Sequence, residues 1–224
     1  MPSLRTRMSR TYVRGDGSFR TVASPVPVNY RDGQGRWTPI DDRLVRQPSG
    51  AIGVAADSYA VQVPATAAAP LVASQGPAVV SMRLRGASAT AAAAVAGSTA
   101  TYPNALPGAD LLVSTRAGSV DQTLRLRSPS APASYTYDLS VPAGYSLRPE
   151  PDRSLSLVDG TGKTVAALPA PVLRDSSGDP DRQTSTGVRY EVTGAAPSYT
   201  VTVAADKTWL ADPERVFPVL LVSC

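Results

Sequence analysis

The chain has 224 residues, 42% of them hydrophobic, and a formal net charge of +4. It contains no histidine, which removes the commonest general base and metal ligand, and its single cysteine, Cys224, excludes an internal disulfide and any zinc site built from sulfur and imidazole. The 21 prolines and 17 glycines exclude long helices, because each proline removes a backbone donor and clashes with the preceding turn.

Two glycine-rich turns organise the start of the chain, after a lead-in over residues 1–10 that we expect to be disordered. Gly15-Asp16-Gly17 and Asp32-Gly33-Gln34-Gly35 are typical of the tight connections between antiparallel strands. Each turn therefore predicts a hairpin. The strands predicted on either side of these turns are Thr11–Arg14, Ser18–Val22, Val26–Arg31 and Arg36–Ile40.

Alternation of apolar and polar residues predicts the strands in the centre of the chain, since a strand turns successive side chains to opposite faces. Residues 65–77 and 86–98 consist largely of small residues and are predicted to be loops, the second of them mobile. Ala117-Gly118-Ser119 predicts a further hairpin turn. The central strands are predicted over Ser58–Val63, Val79–Arg85, Asp110–Arg116 and Val120–Arg127.

A proline-containing segment, Pro129–Ala133, is interpreted as a hinge before a second set of strands. The polar residues 175–186 are predicted to be disordered. Asp206 is expected to cap a short helical turn that packs Trp209 and Leu210 onto a sheet. Val216–Val222 is expected to form the final strand, which would be an exposed edge if a neighbouring domain that follows it is missing. The other strands are predicted over Ser134–Val141, Tyr145–Pro149, Ser154–Val158, Thr164–Leu168, Val188–Thr193 and Tyr199–Val203.

Turn signals every 8–12 residues without a long helical period predict an all-β fold, an antiparallel β-sandwich with at most short helical turns. Two organisations fit the pattern. One has two packed sandwich units over residues 11–128 and 134–222, and the other has one continuous domain over residues 11–222.

Paired carboxylates are the first chemistry to weigh, because two of them can perform glycoside hydrolysis. Asp41 and Asp42 are adjacent in a strand and are expected to point to opposite faces. Asp179 and Asp181 lie in the segment predicted to be disordered, where together with Asp175 they have a loose calcium-loop spacing. A role in turns is preferred for all of these aspartates.

The sequence gives little support for a serine nucleophile or for a nucleotide-binding phosphate loop. A serine nucleophile needs a base, and no histidine is present. Asp159–Thr164 resembles half of a phosphate loop around Lys163, but Leu157 occupies the place of its first glycine, so a hairpin turn is preferred. We therefore predict a protein that is not an enzyme, with no catalytic, cofactor-binding or metal-binding residues and no cofactor, and assign no ligand-binding residues.

Aromatic and arginine residues suggest two further kinds of partner. Sugar rings stack on exposed aromatics, and Tyr135 and Tyr137 share one strand face, although a half-buried sheet face is the preferred interpretation. Tyr12, Tyr30 and Trp37 lie in the first hairpins, whereas Trp37 and Trp209 are expected in the core. The dense arginine cluster is interpreted as a solvated face, so nucleic acid is not predicted as a partner; it consists of Arg5, Arg7, Arg10 and Arg14.

The order of several segments resembles the N-terminal region of large secreted actinobacterial proteins that continue into DNRLRE-type domains or RHS (YD) repeats. The resemblance extends over nearly the whole chain and depends on order and spacing, since no single motif is specific. The segments are Arg10–Tyr12, Gly15–Gly17, Pro27–Asp32, Gly35–Trp37, Ile40–Asp42, Thr101–Leu111, Leu168–Val172 and Trp209–Val219.

The resemblance implies a non-enzymatic structural or assembly module of a larger exported protein, located outside the cell or at its surface, with downstream domains of the same polypeptide as partners. The alternative is a β-sandwich module that binds carbohydrate or the cell wall. Two departures favour a truncated gene product: no apolar segment of a signal peptide follows the basic N-terminus, and the chain stops at Val222-Ser223-Cys224. No apolar stretch approaches the ~18 residues of a membrane helix, so no membrane span is predicted.

Overall fold

The computed structural model describes residues 4–223, so Cys224 lies outside the described part of the chain. Within it, nearly all regular structure is β, as predicted, and no helix is long and apolar enough to cross a membrane. The helix α1 covers Lys207–Ala211. In chain order the strands are β1 (Ser9–Val13), β2 (Phe19–Ala23), β3 (Asn29–Arg31), β4 (Trp37–Pro39), β5 (Asp41–Arg46), β6 (Ile52–Ala56), β7 (Ala60–Gln62), β8 (Leu71–Gln75), β9 (Ala78–Leu84), β10 (Ala94–Ala96), β11 (Thr99–Leu106), β12 (Ala109–Arg116), β13 (Ser119–Leu126), β14 (Ser134–Ser140), β15 (Ser146–Pro149), β16 (Leu155–Val158), β17 (Thr164–Leu168), β18 (Val172–Arg174), β19 (Thr184–Ser185), β20 (Arg189–Ala195), β21 (Ser198–Ala204) and β22 (Val219–Val222).

Two large antiparallel sheets form the sandwich. The seven-stranded sheet has the order β10-β11-β12-β13-β22-β18-β19, and the six-stranded sheet has the order β20-β21-β14-β9-β8-β7. A three-stranded sheet, β15-β16-β17, and three separate hairpins, β1-β2, β3-β4 and β5-β6, complete the described strands. Both large sheets combine strands from before and after residues 129–133, so the two predicted units share each sheet.

The main core lies between the two large sheets, because each turns its apolar positions inward. In β13 the side chains of Leu124 and Leu126 are fully buried, and Tyr135 and Tyr137 of β14 face them from the other sheet. The three-stranded sheet covers the remainder of the same β14 face, where Leu139 packs in a second cluster with residues that include Leu155, Leu157 and Val201. The alternation of apolar and polar residues in the sequence therefore identifies the side chains that face the core in both large sheets.

The last strand, β22, is central and not an edge strand, so the expectation of an exposed edge is wrong. Its residues pair with Thr123–Leu126 of β13 on one side and with Val172–Arg174 of β18 on the other. Val219 and Leu221 are fully buried. A strand with two partners has no free row of backbone donors and acceptors.

Segments that composition assigns to loops are partly built into the sheets. Residues 65–77 contain β8, and residues 86–98 contain β10, which pairs with β11. Within the latter segment Ala91 is buried, and Ala92 forms a bridge with Thr66. The disorder predicted for residues 175–186 is also wrong, because the Asp175 amide donates to the Gln183 carbonyl at 2.8 Å and β19 pairs with β18.

The first two hairpins form as predicted and lie beside the sandwich. All five residues of β2 are exposed, as are Tyr12 and Val13 of β1. The buried amide of Asn29 attaches this hairpin to β3, since its Nδ2 donates to the carbonyls of Thr6 and Ser9 at 2.6 and 2.8 Å. Residues 9 and 10 of the predicted lead-in belong to β1.

Truncation of Leu221 tests the central position of β22. We expect Leu221→Ala to lower the free energy of unfolding by about 2–5 kcal/mol, because it opens a cavity between strands that cannot close up around it. The measurement is urea denaturation at neutral pH. Val216→Ala is the matched control, because Val216 is 44% exposed in the segment just before β22, and equal effects of the two substitutions would contradict the central placement.

Candidate functional site

The carboxylate pair Asp41 and Asp42 is used for structure. Nη2 of Arg43 lies 2.6 Å from Oδ2 of Asp41, and the hydrogen bonds from Arg43 lower the pKa of Asp41 to about 2. The backbone carbonyl of Asp42 accepts the hydroxyl of Thr115 at 2.5 Å, which ties β5 to β12. A general acid needs a raised pKa, so the Asp41 carboxylate is suited to its ion pair and not to acid catalysis.

Asp175, Asp179 and Asp181, which have calcium-loop spacing, make different contacts and do not converge on one site. The Asp175 side chain is 1% exposed and lies 3.1 Å from Nη1 of Arg215, while its Oδ1 accepts the amide and hydroxyl of Ser177. Oδ1 of Asp179 accepts the Asp181 amide at 3.0 Å, as in a turn. Within residues 4–223 no three histidine, cysteine, aspartate or glutamate residues are grouped as a metal site requires.

Arg215 is the centre of a buried polar cluster that sequence reasoning misses. Its guanidinium lies over the Trp209 ring, 4.6 Å from the centroid, and donates to the Arg182 carbonyl. Burial disfavours ionisation of Asp175, but the hydrogen bonds from Ser177 and the positive charge of Arg215 outweigh it, so the pKa of Asp175 is below its usual range. The cluster fixes the chain around residues 175–186 against the segment before β22.

The segment Tyr102–Asp110, which contributes to the resemblance, also has a structural role. Asn104 adopts a left-handed backbone conformation with φ of 53° where the pairing of β11 with β12 is interrupted. The backbone N–H of Asn104 donates to Oδ1 of Asp110 at 2.8 Å, and Nη2 of Arg125 donates to Oδ2 of the same carboxylate at 2.8 Å. Tyr102 is buried and donates to the Pro64 carbonyl at 2.6 Å. These side chains therefore provide hydrogen-bond partners for backbone groups that lie outside the regular strand pairing.

The remaining candidates fall into turns or the core. The half phosphate loop is the hairpin turn between β16 and β17, in which Oδ1 of Asp159 accepts the amides of Thr161 and Lys163. Tyr135 and Tyr137 are 2% and 1% exposed, so neither can stack on a sugar. Trp209 packs against the core as expected, and Asp206 caps α1 by accepting the Trp209 amide at 3.0 Å. Trp37 is half-buried on β4, outside both core clusters.

Three concave places lie on the surface of the described residues. One of them, an open groove of about 500 Å³, is lined by arginines that are already paired with Asp138, so the other two remain as candidate binding sites. An apolar cleft of about 260 Å³ lies where the three-stranded sheet and the β12–β13 turn meet the six-stranded sheet, and no charged side chain lines it. Its walls include Leu71, Val80, Leu139, Leu157 and Leu168. Tyr59 also lines the cleft, but burial raises the pKa of its hydroxyl, which donates to backbone carbonyls, so the cleft offers shape and apolar surface and no group suited to acid–base chemistry.

The second place is a polar crevice of about 290 Å³ beside β3 and β4. Arg7, Tyr30 and Trp37 contribute to its walls, and the Arg31 guanidinium lies 4.2 Å from the centroid of the Trp37 ring. Asp57 also lines it, but its Oδ2 already accepts the Gly118 amide at 3.0 Å. The crevice therefore combines cationic and aromatic groups, which suits a polar or planar ligand.

A stretch of 123 residues resembles three Bacillus proteins, each 31% identical to it: the tRNA nuclease WapA of Bacillus subtilis (strain 168), the tRNA(Glu)-specific nuclease WapA of Bacillus subtilis subsp. natto (strain BEST195) and the tRNA3(Ser)-specific nuclease WapA of Bacillus spizizenii. The stretch covers 53% of this chain but only 5% of each relative. No family model matches the chain, and no solved structure matches it.

The expectation that this protein is not an enzyme is contradicted by these relatives, because all three are named as nucleases. The exclusion of nucleic acid as a partner also conflicts with their names, which specify tRNA. The amino-acid composition of the chain does not indicate a similarity to nucleases. The absence of histidine removes one kind of catalytic group from this chain but says nothing about the nuclease chemistry of those much longer relatives.

The buried pair of Asp175 and Arg215 predicts how stability depends on pH. Because the pKa of Asp175 is lowered in the folded state, its contribution is present above the unfolded pKa near 4 and is lost as the pH falls through the folded value. We expect Asp175→Asn to lower the free energy of unfolding by about 3 kcal/mol at neutral pH, since it leaves Arg215 buried without its main partner.

Urea denaturation over a pH series measures this effect. The difference between the wild-type chain and Asp175→Asn should shrink as the pH falls below the unfolded pKa near 4 and through the lower folded pKa, because the wild-type carboxyl then becomes protonated as well. Asp181→Asn is the control, because Asp181 is exposed and its removal should change the free energy of unfolding by less than about 0.5 kcal/mol. A difference that does not vary with pH would show that the ion pair is not its source.

Proposed function

We propose that this chain is a β-sandwich assembly module of a large exported polypeptide of the RHS or DNRLRE type, and that the whole protein has tRNA nuclease activity like that named for its Bacillus relatives. The observation that carries the proposal is the extent of the similarity. The matched stretch amounts to 5% of each nuclease, so in those proteins it is one small part of a much longer chain.

The use of polar residues in this chain supports an assembly role. The segments that carry the resemblance place Asn104, Asp110 and Arg215 where irregular backbone must be held. Asp41, from another of these segments, is committed to Arg43. A sandwich whose distinctive side chains satisfy its own backbone is suited to hold neighbouring domains of the polypeptide in position.

Replacement in a relative tests the proposal. In the tRNA nuclease WapA of Bacillus subtilis, we expect deletion of the matched region to reduce the amount of intact protein several-fold, because neighbouring domains lose the sandwich that positions them. Insertion of the corresponding part of this chain should restore both the intact protein and tRNA cleavage. Immunoblotting of the full-length product and a tRNA cleavage assay on gels measure the two outcomes.

Two results would contradict the assembly role. One is a deletion that leaves the amount of intact protein and the rate of tRNA cleavage unchanged. The other is cleavage of tRNA by the isolated chain, which would place the nuclease activity in this region. A deletion replaced by a flexible linker of equal length is the control, because it separates loss of the folded sandwich from loss of spacing.

Glycan binding is a second candidate, favoured by the polar crevice. With Tyr135 and Tyr137 buried, Tyr30 and Trp37 are the aromatic side chains that line it. We expect Trp37→Ala to reduce retention of the chain on insoluble cell-wall glycan at moderate salt, where arginine-driven adsorption is screened but stacking persists. Val216→Ala, at a residue that is 44% exposed and does not line the crevice, is the control. Equal retention of the two variants would exclude this site.

A further inference from the structure

The positive charge of the chain is concentrated at its N-terminal end. Residues 1–36 contain seven arginines and two aspartates, a net charge of +5, whereas residues 37–224 contain fifteen lysines or arginines and sixteen aspartates or glutamates, a net charge of −1. The two parts together give the +4 of the whole chain. Residues 1–36, which include the first hairpin and the turn of the second, thus carry the entire positive excess.

The β1–β2 hairpin places much of this charge on one face. Tyr12 pairs directly with Arg20, and Arg10 pairs with Val22, so these four side chains share a face. The Arg14 amide donates to the Ser18 carbonyl at 2.8 Å, which continues the ladder by one pair and brings Arg14 to the same side. We call Arg10, Tyr12, Arg14, Arg20 and Val22 the arginine face.

The opposite face of the hairpin is uncharged. It consists of Ser9, Thr11, Val13, Phe19, Thr21 and Ala23. The hairpin is therefore a ribbon with its cations on one side. Its one carboxylate, Asp16, lies in the turn and accepts the Ser18 amide at 2.9 Å.

The arginine face lacks the acidic neighbours that other arginines have. Elsewhere on the surface, Arg83 and Arg85 share Asp138 at 2.7 and 2.5 Å. Within residues 4–223 no carboxylate lies within ion-pair distance of Arg10, Arg14 or Arg20. Arg10 donates from Nη2 to the Val28 carbonyl at 3.0 Å, which fixes the half-buried guanidinium beside β3 and leaves its charge without a counterion.

We propose that the arginine face binds single-stranded RNA, with the arginines on phosphates and Tyr12 stacked on a base. Arg10, Tyr12 and Arg14 follow one another on the face at intervals of about 7 Å, twice the rise of a strand residue. An aromatic ring between cations is the arrangement that single-strand binding proteins use, because every base has a face to stack. Paired RNA is a poorer fit, since its deep major groove excludes side chains.

The choice of RNA among polyanions rests on the proposed function, since the relatives that support it are named for tRNA. The two proposals fail separately. The replacement experiment above measures intact protein and cleavage in a relative, whereas binding by the arginine face is measured on this chain alone.

Fluorescence anisotropy with a fluorescein-labelled single-stranded RNA of about twelve nucleotides tests the arginine face, with salt concentration varied. We expect the triple substitution Arg10→Ala, Arg14→Ala and Arg20→Ala to weaken binding tenfold or more and to lower the slope of log affinity against log salt by about 2, at about 0.7 for each lost phosphate contact. Tyr12→Ala should weaken binding by about tenfold through lost stacking, with an unchanged slope.

The matched control removes the same charge elsewhere, from arginines that already have acidic partners. It combines Arg116→Ala, Arg148→Ala and Arg189→Ala, whose partners are Asp121, Glu150 and Glu191. Binding by this variant should weaken less than threefold. Equal losses in the two triple variants would show that net charge alone attracts RNA and would overturn the proposal, as would absence of binding by the wild-type chain.

A charge-preserving variant guards against a hairpin that fails to fold. Replacement of Arg10, Arg14 and Arg20 by lysine keeps the cations and should keep the salt slope, even if affinity falls. Loss of the slope in this variant, with an unchanged circular dichroism spectrum, would contradict phosphate contacts by the arginine face.

Discussion

Hydrogen bonding on both sides of β22 is the constraint on which the two parts of the seven-stranded sheet depend. On one side lies β13, which belongs to a meander of consecutive strands from β10 onwards, and on the other lies β18, with β19 beyond it. Without β22 these two groups would each present an unpaired edge. Within β22, Val219 and Leu221 are also fully buried in the core. Strand pairing and core packing therefore both depend on the four residues of β22.

The polar clusters follow from this architecture. Short strands leave many irregular connections, and their backbone groups need partners where water is excluded. Asp110 supplies an acceptor at the interruption in β11, and Arg215 supplies donors to the Arg182 carbonyl and to Asp175. Each cluster is an ion pair with further hydrogen bonds, the arrangement that makes burial of a charge tolerable.

Local signals predict local structure well in this chain. Glycine turns and alternation place the hairpins, and Asp206 caps α1 as expected. The position of β22 is not predictable from periodicity, because alternation does not name a strand's partner. The fully buried Ala100, Ala105 and Ala109 are equally invisible, since small residues become core only where two backbones approach closely. The arginine cluster is evident in the sequence, but only the hairpin register brings Arg20 beside Tyr12.

The pairing of β13 with β22 also has a consequence for synthesis of the chain on the ribosome. Thr123 must wait for Val222, its partner about 100 residues later, which at ~5–20 residues per second takes roughly 5–20 seconds. During that interval the meander from β10 to β13 is complete but its last strand is unpaired, and such an edge invites pairing with other nascent chains. The fraction of newly made chains that fold correctly thus depends on how well that edge is shielded until translation reaches β22.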